Sequence, residues 1–189
     1  MKEKIKSIVE ESAQAASSLL SSKNIEVIES ISKRIVDAIK KGNKVIVFGN
    51  GGSAADSQHL AAELVGRFKK ERRAFPAVSL TTNTSTLTAV SNDYGYDKSF
   101  ERQVEALGKK GDVAFGISTS GNAKNVIRAM EKARALGLVT VALSGKGGGT
   151  LKSVADIIFR AGSANTPRIQ EAHILVIHII CELVEEELS

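Results

Sequence analysis

"KVIVFGNGGSAADSQHLAAELVGRF", Lys44 to Phe68, decides how the rest of the chain is read. An unbroken apolar run stops at a glycine cluster, and a stretch of helical composition follows. A continuous rather than alternating apolar run marks a strand buried on both faces, as in a parallel sheet. The same pattern recurs downstream. "KVIVFG" (44–49) is followed by "AVSLTT" (77–82), "GDVAFGIS" (111–118), "LVTVALSG" (138–145) and "DIIFRAG" (156–162), all read as buried strands. "SAADSQHLAAELVGRF", the stretch from Thr86 to Leu107, "NAKNVIRAMEKARALG" and "GTLKSVA" supply helices between them. This alternation predicts an α/β fold, with a five-stranded parallel sheet as the middle layer of a three-layer sandwich.

Upstream, Ile5, Ile8 and Val9, then Ile25, Ile28, Ile31, Ile35 and Ile39, recur at helical spacing. Ser21, Ser22 and Asn24 divide this segment into two helices, and Gly42 stops the second. Downstream, Ile169 to Leu188 reads as a helix that is apolar on nearly every side at its centre, "ILVIHIIC". Such a helix packs against the sheet, the leading pair or another subunit. Residues 1–189 therefore read as a single domain, with a helical arm (1–41) on an α/β core (42–189).

Lys and Arg number 26 against 21 Asp and Glu, a formal charge of +5. The basic residues are scattered. Their tightest group, "RFKKERR" at Arg67 to Arg73, reads as solvated surface, and no nucleic-acid-binding signature accompanies it. A positive field also suits a small anionic substrate. No run approaches the ~20 apolar residues of a membrane span, and the charged N-terminus lacks a signal-peptide core. No membrane or nucleic-acid partner is expected, and a cytoplasmic location is. Cys181, the single cysteine, reads as packing.

Two strand-to-helix junctions look alike: "FGNGGSAAD", Phe48 to Asp56, and "GISTSGNAKN", Gly116 to Asn125. Ligands of open parallel sheets bind beyond the carboxyl ends of the strands. Helix N-termini there offer unpaired N–H groups and partial positive charge. With the hydroxyls of Ser53, Ser118, Thr119 and Ser120, the two loops suit a phosphate. The literal dinucleotide pattern Gly49-x-Gly51-x-x-Ala54 fails its own test, because the second strand ends "SLTTN" without the acid that holds a ribose. "GKGGGT", Gly145 to Thr150, lacks phosphate-loop spacing and reads as a turn, as "NDYGYD", Asn92 to Asp97, also can. His59 and Glu63 lie one turn apart on one helical face. They are either a solvent-facing polar pair or part of a site. His178, inside "ILVIHIIC", needs a hydrogen bond, a metal or a catalytic role, while His173 on the same helix reads as structural.

"GNGGSAADSQHLAAELVGRF", "SNDYGYD", "GDVAFGISTSGN" and "RIQEAHILVIHIICELVEEEL", in this order, closely resemble the phosphoheptose (sedoheptulose 7-phosphate) isomerases, members of the sugar-isomerase (SIS) fold. The resemblance implies a flavodoxin-like sheet and a homotetramer with active sites between subunits. It implies conversion of sedoheptulose 7-phosphate to D-glycero-D-manno-heptose 7-phosphate, the first step of bacterial heptose biosynthesis. It also implies zinc held by His59, Glu63, Gln170 and His178. Substrate-binding positions would be Asn50, Gly51, Gly52, Glu63, Asn92, Asp93, Ser118, Thr119, Ser120 and Gln170, and the catalytic pair Glu63 and His178.

The family commonly has a substrate-touching serine after "STSGN", where this chain has Ala123, so one donor to the phosphate is missing. A zinc-bound carboxylate is also a poor base, which sets the two roles of Glu63 against each other. Gln170 and His178 stand about 12 Å apart along a helix and about 80° around it. Hence Gln170 is expected either to precede the regular helix or to serve a different subunit's site. The rival reading is a non-catalytic SIS protein that binds a phosphosugar or the replication initiator DnaA.

Overall fold

The computed structural model describes all residues, Met1 to Ser189. Two helices lead, α1 (Lys2–Ser17) and α2 (Ser22–Lys40), joined by a 3-10 turn at Ser18–Leu20. The Ser21 hydroxyl caps α2 by accepting from Asn24 N–H, as the serine pair suggested. The core then runs β1 (Val45–Gly49), α3 (Gly52–Val65), β2 (Ala77–Ser79), α4 (Thr84–Tyr94), α5 (Glu101–Leu107) and β3 (Val113–Ser118). It continues with α6 (Lys124–Ala135), β4 (Val139–Ser144), α7 (Leu151–Val154), β5 (Ile157–Arg160) and α8 (Thr166–Leu188).

All five expected strands form, and every pairing is parallel, in the order β2-β1-β3-β4-β5. Successive side chains of a strand face opposite ways, and the core divides accordingly. Val45, Val47, Phe115, Ile117 and Leu143 join α2, α3 and α8 in one apolar layer. Ile46, Phe48, Ala114 and Ala142 join α5, α6 and α7 in the other. Fully burying a side chain such as Phe115 or Leu60 contributes about 1.5–3 kcal/mol, which explains why the strands read as unbroken apolar runs.

Three details depart from the sequence reading. The stretch 86–107 is two helices separated by a 3-10 turn at Tyr96–Lys98, because Gly95, at φ 85°, ends α4. The last helix starts at Thr166, with Pro167 in its first turn, three residues before Ile169. "RFKKERR" is only partly a solvated surface. The Arg72 side chain is 4% exposed and paired with the equally buried Glu185 at 3.0 Å, and its guanidinium lies over the Phe75 ring.

Candidate active site

The strand order reverses direction between β1 and β3: α3, which follows β1, packs in one layer, and α6, which follows β3, in the other. A crevice opens at such a point beyond the strand ends, and the two hydroxyl-rich loops flank it. Gly51 and Gly52 are exposed there, and Ser118 is buried beside the half-buried Thr119 and exposed Ser120. Ser53 is only 3% exposed, so its side chain lies beneath the loop instead of lining it openly. The 118–122 loop is held from behind. "GKGGGT" does form the expected turn, and Gly145 N–H donates to Thr119 O while Leu151 N–H donates to Gly121 O. The Asn122 carboxamide accepts from Thr150 N–H at 2.9 Å and from its hydroxyl at 3.0 Å. Gly121 and Gly149, both at positive φ, meet backbone to backbone, so that a Cβ on Gly149 would come within 2.6 Å of Gly121.

Helices α3 and α8 run side by side behind this cradle. His59 Nε2 lies 3.0 Å from His178 Nε2 and 3.3 Å from Glu63 Oε1, so three of the four expected metal-binding positions converge. The His59 side chain is 42% exposed and that of Glu63 25%, so the cluster opens to solvent in the single chain. Phe68 lies against the His178 ring, with centroids 5.7 Å apart. The fourth position is elsewhere. Gln170 belongs to the regular part of α8, so the expectation that it precedes the helix is corrected. Its carboxamide abuts Gly52, where a Cβ would collide with it. Gly52 is seven residues before His59, about 10 Å along α3, which places Gln170 at the cradle end of the crevice.

Imidazole nitrogens and carboxylate oxygens are zinc donors, and two nitrogens on one tetrahedral zinc stand about 3.3 Å apart. His59, Glu63 and His178 fit such an ion in kind, and nearly in spacing. As placed they close on one another without surrounding a common point for a metal, so the imidazoles would part by a few tenths of an ångström to admit one.

An SIS domain family model matches residues 10–145. The phosphoheptose isomerase of Aquifex aeolicus is 54% identical over 186 residues, covering 98% of this chain and 97% of that protein. The chain belongs to the phosphoheptose isomerase family. Another family member, from Citrifermentans bemidjiense, is 62% identical over 161 residues, covering 85% of this chain and 84% of its own. The solved phosphoheptose isomerase of Francisella tularensis superposes with a TM-score of 0.94 at 37% identity, over 97% of both chains.

Against the family pattern, Ala123 is the N-cap of α6 and makes no side-chain cap. Asn92 and Asp93 are exposed at the end of α4, joined by an Asn92 Nδ2 to Asp93 Oδ1 bond of 2.9 Å. Other site residues had no local signal. Asp56 shares a helical stripe with Gly52, His59 and Glu63, and its Oδ2 is buried without a partner. Burial raises its pKa to about 6, against the pull of His59. Glu185 accepts N–H bonds from Phe68, Lys69 and Lys70 as well as Arg72 Nε. Burial alone would raise its carboxyl pKa, yet these donors hold it below the ordinary range, and the clamp seats Phe68 on His178. His173 is structural, as expected: fully buried, it donates from Nε2 to Ser144 O at 3.1 Å, and burial pushes its pKa down to about 4. Cys181 is inert, its thiol pushed up to about 12 by burial and then by Glu63.

Proposed function

We propose that the chain interconverts sedoheptulose 7-phosphate and D-glycero-D-manno-heptose 7-phosphate, an aldose–ketose isomerisation through an enediol. One observation carries this reading: Glu63 and His178 converge on His59, which stands about 10 Å along α3 from an anion cradle. A phosphate held by the loop amides and hydroxyls leaves the sugar chain lying along α3, its carbonyl end at the carboxylate and imidazole. Glu63 removes the C1 proton of the ketose as general base, and His178 donates a proton to the carbonyl oxygen. In the second half the proton returns to C2 and the O1 proton leaves, which gives the aldose. Neither group is consumed. A protein of this fold that only bound a phosphosugar or DnaA would have no use for this acid/base pair.

His59, Glu63 and His178 are the residues that would hold zinc, which would supply Lewis-acid polarisation of the sugar carbonyl. Glu63 cannot be ligand and free base at once, so the two roles belong to different states. Gln170, remote from its own chain's cluster, then acts at the phosphate end or in a neighbouring subunit's site. A homotetramer with sites between subunits agrees with α1, where Ile5, Ile8 and Val9 are exposed on a helix with one buried residue, Ala15.

The test is incubation with sedoheptulose 7-phosphate and a panel of shorter ketose phosphates, with and without a chelator. The heptose phosphate is expected to turn over fastest; binding without turnover would overturn the enzyme reading.

A further inference from the structure

Three segments expected to meet the substrate come from distant parts of the chain: 50–53, 92–93 and 118–120. One carboxamide joins them. Asn50 Oδ1 accepts from Tyr96 OH at 2.7 Å and from Asn125 Nδ2 at 2.9 Å, while Asn50 Nδ2 donates to Asn125 Oδ1 at 2.8 Å. Asn125 is 3% exposed and is itself fixed: its Oδ1 accepts from Val126 N–H at 3.0 Å and its Nδ2 reaches Ser99 Oγ at 3.4 Å.

A primary carboxamide has two acceptor lone pairs and two donor hydrogens. Asn50 spends both lone pairs and one hydrogen on protein, so a single N–H remains for a ligand, and its direction is set. Flipping the amide would turn its NH₂ toward the NH₂ of Asn125, donor against donor, which the network forbids. Asn50 directly follows β1, Asn125 lies in the first turn of α6 after "STSGN", and Tyr96 follows the segment bearing Asn92 and Asp93.

We propose that Tyr96 and Asn125 are positioning residues for sugar-phosphate binding, which lock Asn50 so that the two anion loops and the 92–97 segment share one fixed spacing. The Tyr96 side is the informative one. Tyr96 is 55% exposed, and a hydrogen bond competing with water at an exposed site adds little to stability. Helix α4, just before it, has no buried residue. The hydroxyl therefore tethers a lightly held segment to the crevice and does little for the fold as a whole.

This inference rests on the sugar-phosphate reading above. The experiment is steady-state kinetics on sedoheptulose 7-phosphate for Tyr96→Phe, Asn50→Ala and the double variant, with melting temperatures alongside. Tyr96→Phe is expected to raise KM about three- to tenfold, the worth of one hydrogen bond, with kcat within about twofold and melting lowered by no more than about 4 °C. In the Asn50→Ala background the same change is expected to add nothing, because the tether has lost its anchor. An unchanged KM, a penalty that multiplies with that of Asn50→Ala, or a fall in melting temperature alone would each overturn the proposal. If the wild-type chain does not isomerise this sugar, the parent reading fails instead. Calorimetric titration of wild type and Tyr96→Phe with sedoheptulose 7-phosphate then decides the tether by itself.

Discussion

The two rims of the sheet treat polar groups in opposite ways. At the amino ends of the strands, Asp112 is 1% exposed and accepts from Lys44 N–H, Lys44 Nζ and Lys109 N–H. Beside it, Asp156 accepts from both Thr140 N–H and Thr140 Oγ1 at 2.8 Å. Asp112 is saturated by its own neighbours, and Asp156 Oδ2 is bonded twice. At the carboxyl ends, the loop amides, the exposed His59 and the orphaned Asp56 oxygen leave bonding capacity unused. Saturation produces stability, and spare capacity produces a site.

The sharpest break is at the open rim. Glu63→Gln and His178→Gln are each expected to lower kcat by about a thousandfold without changing the melting temperature; retained turnover in either would end the proton-transfer scheme. At the closed rim the effect reverses. Asp112→Ala strands the Lys44 ammonium and two backbone N–H donors, for an expected loss of about 3 kcal/mol in urea unfolding, while kcat per folded molecule holds.

Acid sharpens the contrast. His173, held near pKa 4, binds its proton more readily unfolded than folded, so its contribution to stability is lost as pH falls below about 6.5. Between pH 6.5 and 4.5 that loss is about 2 kcal/mol. Asp56, raised to about 6, acts the other way: it takes its proton first in the folded chain, so acid relieves it. Unfolding followed against pH is expected to show a shallower acid loss for His173→Gln and a steeper one for Asp56→Asn. The smallest effect is Ala123→Ser, which supplies the missing N-cap of α6. It is expected to add about 1 kcal/mol of stability and to lower KM for the phosphosugar.

The strands and their parallel pairing were legible because burial on both faces leaves nothing but apolar residues between Val45 and Phe48. The cradle was legible because strand, glycine and hydroxyl are adjacent in sequence. Arg72 was not, since the carboxylate that buries it, Glu185, lies 113 residues away. Tyr96 was hidden likewise, as its partner Asn50 is 46 residues distant. His59 and Glu63 showed a shared face, but only the packing of α3 on α8 brought His178 to them. Local spacing encodes local geometry, and the convergence of distant residues emerges only with the fold.

Gly121 and Gly149 touch through their main chains. A joint made without side chains leaves nothing to trim, and a Cβ added to it would collide, so the contour of this pair of loops is fixed. Differences in ligand preference therefore fall to the side chains at 118–120 and 123, three hydroxyls and the Ala123 methyl, which can be exchanged while the loops beneath them keep their shape.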